Sequence, residues 1–165
     1  MSHKRKGQVW IGIAITIMAF LFYMSSKPYH EQSLVSPLEK LLSHFPFIDT
    51  FSHISFLYGG KEISIQANGY IAFIEFFIRK FAHFMSFFIL GYAWFKGLKV
   101  YIKDRKIVFF LALILCIFYA GFDEFHQSLT PNRTPLLEDV ILDSSGAFLA
   151  ILWSMIFSKI TRKHR

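Results

Sequence analysis

The sequence predicts an all-α integral membrane protein with four transmembrane helices and a small extracytoplasmic helix and β-hairpin inserted between the first two. Composition and charge pattern predict this class together. Apolar residues make up 54% of the 165 residues, and the mean hydropathy is positive at +0.42. The charged residues occur in blocks between apolar runs rather than along every segment. A soluble domain of this length does not have that pattern.

Four apolar runs are the candidate spans, and they cover residues 9–24, 71–95, 107–122 and 140–157. A helix rises about 1.5 Å per residue and the hydrocarbon core is about 30 Å thick, so a span needs ~17–25 residues. The first and third runs are slightly short. They must therefore include flanking residues such as Gln8 or Asp123.

The distribution of basic residues predicts the orientation. Three lie in residues 1–8, five in 96–106 and four in 158–165, which is 12 of the 18 in the chain. The same three segments contain one acid, Asp104. Cytoplasmic loops accumulate Lys and Arg, so both termini are expected in the cytoplasm. The net charge of +7 is then a topology signal, and no nucleic-acid partner is expected.

Four regions follow from this topology. Residues 1–24 are a cytoplasmic N-terminus and first span, 25–70 an extracytoplasmic cap, 71–157 a three-helix core, and 158–165 a basic cytoplasmic tail. The first span is expected to be an uncleaved anchor. A cleaved signal peptide is the alternative, although no clear small-residue cleavage site follows the span.

The cap is expected to contain two small elements. Residues 36–45 read as a short helix with Ser36 as its N-cap and Pro37 at its first position. Residues 56–69 read as a β-hairpin, because Gly59-Gly60 suits a tight turn and Ile63 and Ile65 alternate with polar residues.

Ionisable residues interrupt the last three spans on the side of the cap. Lys80 and His83 are three residues apart and share a helix face. Asp123, His126 and Gln127 lie at i, i+3 and i+4, and Glu124 is roughly 100° away around the helix. Arg133 is expected at the tip of a turn between Pro131 and Pro135, and the fourth span begins with Asp139 and Asp143. These residues are expected to form a polar pocket near the outer leaflet.

A purely structural role is the competing interpretation. One charged residue at a helix centre costs roughly 2.5–3.5 kcal/mol on insertion scales, and less near the interface. Pairs such as Lys80 with Asp143, or Arg133 with Asp139, could offset that cost and do nothing else. Eight such groups on one side exceed what four small spans need for assembly, so a functional pocket is favoured.

Three chemistries fit this set of residues. His83, Asp123, Glu124 and His126 could bind a divalent metal that activates water, but their spacing matches no recognised metal motif and no metal ligand is assigned. A carboxylate beside a histidine could serve acid–base catalysis on a lipid-linked or peptidyl substrate. Lys80 and Arg133 could instead bind the phosphate of an anionic headgroup, which is the favoured class.

The candidate residues therefore fall into two groups, and no cofactor is identified. Candidate reactive residues are Asp123, Glu124 and His126. Candidate ligand-binding residues are Lys80, His83, Gln127, Arg133, Asp139 and Asp143. The single cysteine, Cys116, lies inside an apolar run, which excludes an intrachain disulfide and a cysteine-based zinc site.

Three segments, "RKFAHF", "DEFHQSLTPNR" and "EDVILDSSGA", resemble the VanZ-like family of bacterial membrane proteins in order and spacing. The resemblance covers about residues 71–157. The matching positions are Lys80, His83, Phe84, Asp123, Glu124, His126, Gln127, Arg133, Asp139 and Gly146. The chain departs from the family pattern at Asn132, where the family often has Gly, at Phe87, where it has Tyr, and at Asp143, where it often has Asn.

The resemblance implies a multi-pass protein of the bacterial cell membrane. The founding member of the family confers teicoplanin resistance, and glycopeptides act on lipid-linked precursors at the outer membrane face. The expected partners are therefore the lipid bilayer and a lipid-linked cell-wall precursor or another anionic headgroup. The expected function is reduced glycopeptide susceptibility through binding or altering such a component. A membrane-embedded hydrolase or transferase and a non-catalytic scaffold remain alternatives.

Overall fold

The computed structural model describes residues 2–28, 31–42, 44, 46–130 and 134–163, and it is mostly helical. The elements in chain order are α1 (His3–Ser25), α2 (Val35–Leu41), α3 (Ile48–Phe51), β1 (Ser55–Tyr58), β2 (Lys61–Ser64), α4 (Ile65–Asn68), α5 (Tyr70–Leu98), α6 (Arg105–Ser128) and α7 (Leu137–Lys163).

Three helices of the described chain are long and apolar enough to cross a membrane. They cover Lys4–Ser25, Arg105–Ser128 and Leu137–Phe157, which correspond to the first, third and fourth predicted spans. Helix α5 covers the second predicted span and has 29 residues. It is not among the helices that qualify as membrane spans by length and composition. The membrane-helix prediction is therefore confirmed for three of the four helices.

The four long helices share one apolar core, in which α5 packs against both α1 and α7 and α6 packs against α7. Ala14, Phe87, Cys116 and Ala147 supply buried side chains from each of the four. Large apolar side chains also point outward; Phe118, for example, is 75% exposed. Such outward apolar faces are expected where a helix bundle contacts lipid.

Two glycines allow α5 and α7 to approach closely. A Cβ at Gly91 would lie 2.7 Å from the carbonyl oxygen of Ala147, and one at Gly146 would lie 3.2 Å from the carbonyl carbon of Phe84. No side chain larger than hydrogen fits either contact. Small residues at such positions are typical of helix pairs within membranes.

The two ends of the bundle are defined by contacts between distant parts of the chain. At one end, the hydroxyl of Tyr101 donates to the carbonyl of Lys4 at 3.3 Å, which joins the α5–α6 turn to the N-terminus. At the other end, Gly59 of the hairpin lies beside Leu136, just before α7, and a Cβ at Gly59 would lie 2.5 Å from Cδ2 of that leucine. Helix α5 runs from the hairpin end to the N-terminal end.

The predicted hairpin is confirmed. Strands β1 and β2 pair antiparallel, with Tyr58 opposite Lys61. The connecting Gly59 and Gly60 have φ values of +56° and +72°. Two positive φ values are the requirement of the type I′ turn that glycine satisfies without strain. The chain after Ser64 forms α4 rather than a longer strand.

The predicted helix at residues 36–45 exists with different bounds. Helix α2 begins at Val35, so Ser36 lies in the first turn, and the Ser36 N-cap prediction is wrong. The N–H of Val35 approaches the hydroxyl of Ser33 instead, at 3.3 Å. Phe45 lies outside the described residues.

Candidate functional site

A cavity of about 370 Å³ lies at the hairpin end of the bundle, between the hairpin and helices α5, α6 and α7. Its size lies within the usual range of small-molecule sites, about 300–1,000 Å³. Its ionisable and amide-bearing lining includes Tyr58, Lys61, Asn68, Arg79, Lys80, His83, Glu124, Gln127 and Asp139.

Lys80 and Asp139 form the ion pair at the cavity wall. The Nζ of Lys80 lies 2.5 Å from Oδ1 of Asp139, and both side chains are mostly buried. The hydroxyl of Tyr58 donates to the same carboxylate oxygen. The Lys80 ammonium also lies 4.8 Å from the centre of the Tyr58 ring, a cation–π distance. The cap is thus joined to two helices of the core.

Burial and the hydrogen bond to Asp139 both raise the pKa of the Tyr58 phenol, and burial is the larger cause. Burial disfavours the charged phenolate. The hydroxyl therefore remains a hydrogen-bond donor to Asp139 at neutral pH.

Glu124 and Gln127 reach the cavity from α6. Glu124 is only 7% exposed, and its Oε1 accepts a hydrogen bond of 2.6 Å from the N–H of Leu136. This N–H lies just before the first residue of α7, where backbone donors lack helical partners. Gln127 donates at 2.8 Å to Oδ2 of Asp123, one turn earlier.

His83, Asp123 and Asp143 form a second group beside the cavity, with one residue each from α5, α6 and α7. One possible ligand atom from each lies within 4.8 Å of the other two. The Nδ1 of His83 is 3.4 Å from Oδ2 of Asp143. Asp143, for which a partner in Lys80 was considered, therefore faces His83, and Lys80 pairs with Asp139.

The structure does not bring His126 to the cavity. Its ring stacks on Phe22 of α1 at 4.2 Å between centroids, and its Nδ1 lies 3.1 Å from the hydroxyl of Ser25. His126 therefore faces α1. Asp123, Glu124 and Gln127 lie on other sides of α6 and face α5, α7 or the cavity. Arg133, with its neighbours Pro131 and Asn132, lies outside the described residues.

Three ionisable residues of the cavity lining were not among the sequence-based candidates: Tyr58, Lys61 and Arg79. Tyr58 and Lys61 flank the predicted hairpin turn, so the hairpin itself was the available signal, but no sequence pattern indicated where it docks. Arg79 adjoins Lys80 and lies four residues after Glu75, at the spacing of an i,i+4 pair that could largely neutralise itself. Glu75 is fully buried and accepts a 2.7 Å hydrogen bond from the N–H of Leu34, which anchors the cap to α5.

A protein-family model described as VanZ/LLP1 matches residues 10–158. The chain belongs to the VanZ/LLP1 family. The resemblance indicated by the three sequence segments is thereby confirmed. The VanZ/LLP1 match also includes most of α1 and the whole cap, which lie before the 71–157 region of the original resemblance. Searches of curated proteins and of solved structures found no match.

Proposed function

We propose that this VanZ/LLP1 protein binds the anionic headgroup of an outer-leaflet, lipid-linked cell-wall component in the cavity, and that it thereby lowers susceptibility to glycopeptides such as teicoplanin. One observation carries the proposal. Three cationic side chains, Lys61, Arg79 and Lys80, line a single cavity of about 370 Å³. A phosphate-bearing headgroup is the natural ligand for such a set.

The proposal treats α5 as a fourth span. Helix α5 packs along both α1 and α7, and it runs between the same two ends of the bundle as they do. Its 29 residues correspond to about 43 Å at 1.5 Å per residue, which is more than the bilayer core requires. Its polar residues face a cavity and a cap rather than lipid, as polar residues within membranes usually do.

Four spans put both termini on one membrane side and the cap with its cavity on the other. The excess of Lys and Arg at the terminal side supports a cytoplasmic position for the termini. The cavity then opens at the outer face of the bacterial cell membrane, where lipid-linked precursors carry their headgroups.

Lys80 is the central binding residue in this proposal. A phosphate oxygen would replace or share the Asp139 carboxylate as the partner of the Lys80 ammonium. Asp139 and Glu124 would then accept hydrogen bonds from hydroxyl or amide groups of the same headgroup. The acids thus favour a ligand that combines an anion with neutral donors over a simple polyanion.

The test is the inhibitory concentration of teicoplanin in a susceptible Gram-positive host that carries empty vector, wild type, Lys80→Met or Lys40→Met at matched membrane abundance. Lys40 is exposed on α2 and does not line the cavity, so its substitution is the control. Wild type and Lys40→Met are expected to raise the inhibitory concentration. Lys80→Met is expected to abolish protection, because losing a charge-assisted hydrogen bond of about 1.5–3 kcal/mol weakens binding about 10- to 100-fold.

Equal susceptibility of vector and wild type would contradict the resistance proposal. Protection that survives Lys80→Met would contradict the role of the cavity. The scaffold interpretation makes a different prediction for cells in which abundance has not yet been matched. It predicts that Lys80→Met lowers membrane abundance in parallel with any loss of protection.

A further inference from the structure

The group formed by His83, Asp123 and Asp143 combines one imidazole with two carboxylates from three separate helices. Candidate ligand atoms of the three side chains lie within 4.8 Å of one another. The three residues are far apart in sequence, so only the packing of α5, α6 and α7 brings them together. Nitrogen and carboxylate oxygen are ligands that proteins use for divalent transition metals.

Burial of the two carboxylates is the second observation, and it is independent of the spacing. Asp123 is 2% exposed and Asp143 is 4% exposed. The Oδ1 atom of each has no hydrogen-bond partner among the described residues. An unsatisfied buried oxygen of this kind costs free energy, and two such carboxylates in neighbouring helices add mutual repulsion.

Lys80, which lies three residues before His83 on α5, forms its ion pair with a different acid. The Lys80 ammonium pairs with Asp139 at 2.5 Å. Gln127 donates to Oδ2 of Asp123 at 2.8 Å, which satisfies one oxygen without adding charge. When both carboxylates are ionised they carry two negative charges, and one divalent cation would neutralise both.

The distances are close to those of a shared ligand sphere. Zinc–nitrogen and zinc–oxygen bonds of about 2.1 Å place two ligand atoms of a tetrahedral site about 3.4 Å apart. The Nδ1 of His83 and Oδ2 of Asp143 are 3.4 Å apart. A direct charged N–H···O bond would be shorter, at about 2.7–2.9 Å. The Asp123 oxygen lies within 4.8 Å of the other two ligand atoms, and a change of its side-chain rotamer can bring it closer.

We propose that His83, Asp123 and Asp143 bind one divalent transition-metal ion, Zn²⁺ or Mn²⁺, at the inner wall of the cavity. Three protein ligands leave a coordination position open, and His83 lies both in this group and in the cavity lining. Gln127 orients Asp123 from outside the ligand set, as partners of metal-binding carboxylates do. Metal binding does not depend on the proposed function. If that function holds, the open position faces the bound headgroup phosphate.

The first experiment measures metal in tag-free full-length protein purified in detergent. Elemental analysis of the wild type is expected to give about one equivalent of zinc or manganese. Chelator-treated wild type titrated with ZnCl₂ or MnCl₂ is expected to show a saturable rise of several degrees in Tm, because a metal that binds only the folded state stabilises it. Chelator-treated wild type whose Tm responds to neither metal would overturn the proposal.

The second experiment locates the site with matched variants. His83→Gln, Asp123→Asn and Asp143→Asn are each expected to weaken metal binding more than about 10-fold. His126→Gln and Glu138→Gln remove an imidazole and an exposed carboxylate at the same end of the bundle, outside the group and the cavity lining, and are expected to keep metal binding. Uptake unchanged in all three ligand variants would overturn the assignment. If a ligand variant fails to fold, the wild-type titration and the other variants still decide.

The two proposals fail separately. A metal-dependent rise in Tm without any teicoplanin phenotype leaves the metal site and rejects the proposed function. Protection from teicoplanin in cells, without saturable metal binding in vitro, supports the proposed function and rejects the metal site. If Asp123 and Asp143 instead share protons with His83, Zn²⁺ and Mn²⁺ leave Tm unchanged, and that result overturns the metal site.

Discussion

Asp139 is one of the residues that join the cap to the core. Its carboxylate accepts a hydrogen bond from the Tyr58 hydroxyl in the hairpin and forms an ion pair with Lys80 of α5. Removal of either partner leaves a mostly buried carboxylate with half of its contacts, and such truncations cost more than the intact contact contributes. The contact between Tyr58 and Asp139 therefore holds the hairpin against this wall of the cavity.

The raised pKa of Tyr58 gives a prediction about alkaline stability. The unfolded phenol has a pKa of about 10, so above that pH the unfolded state loses this proton before the folded state does. The contribution of Tyr58 to stability is fully present below about pH 10 and falls as the pH rises further. We expect the Tm of the wild type to fall more steeply above this pH than that of Tyr58→Phe, measured by circular dichroism in detergent.

The comparison with Tyr58→Phe removes the effect of the other ionisable groups, because both proteins share them. Parallel loss of Tm in the two proteins across this pH range would contradict the coupling of Tyr58 to Asp139.

At the scale of the helices, the close contact of α5 with α7 fixes the position of His83 and Lys80 relative to Asp143 and Asp139. The contact depends on Gly91 and Gly146, whose missing side chains let the two backbones approach. A small outward shift of α7 would separate Lys80 from Asp139 and His83 from Asp143.

Gly146→Ala is expected to destabilise the protein by about 1–3 kcal/mol, because the added methyl group overpacks against the backbone of Phe84. Gly121→Ala on α6 is the matched control, since a Cβ there meets nothing within 4 Å. The control is expected to be neutral or slightly stabilising through helix propensity. Tm in detergent distinguishes the two; an equal effect of both substitutions would show that the α5–α7 contact is not tight.

The elements of the fold follow from local sequence signals, and the assembly of the site does so only in part. Apolar runs indicated α1, α6 and α7, and Gly59-Gly60 indicated the hairpin. The neighbours of each helix face depend on packing that no single segment encodes. His126 was therefore grouped with Asp123 by its spacing, although α1 occupies that side of α6. Asp143 was similarly considered as a partner of Lys80, but in the packed bundle Asp143 lies beside His83.

For the whole molecule, the arrangement of the four long helices predicts the membrane topology. The cap and the α6–α7 connection lie at one end, and the N-terminus and the α5–α6 turn lie at the other. If α5 crosses the membrane with the other three, these two ends lie on opposite sides.

Cysteine labelling in intact cells tests this topology. Lys40→Cys in the cap is expected to react with a membrane-impermeant maleimide, while Lys103→Cys in the α5–α6 connection is expected to react only after the cells are permeabilised. Both positions are exposed, and wild type serves as the background because its single cysteine, Cys116, is fully buried. Labelling of Lys103→Cys alone would invert the orientation, and labelling of both would remove α5 from the set of spans.

The distribution of charge among α5, α6 and α7 has a consequence for biogenesis. Lys80 finds its counter-ion on α7, and Asp123 and Asp143 meet His83 only when three helices are assembled. A helix that enters the bilayer alone carries these charges uncompensated, at roughly 2.5–3.5 kcal/mol for each one near the centre. We therefore expect α5, α6 and α7 to pass from the insertion machinery into the bilayer together. In a chain truncated before α7, we expect α5 and α6 to be unstable in the bilayer and to be degraded by membrane proteases.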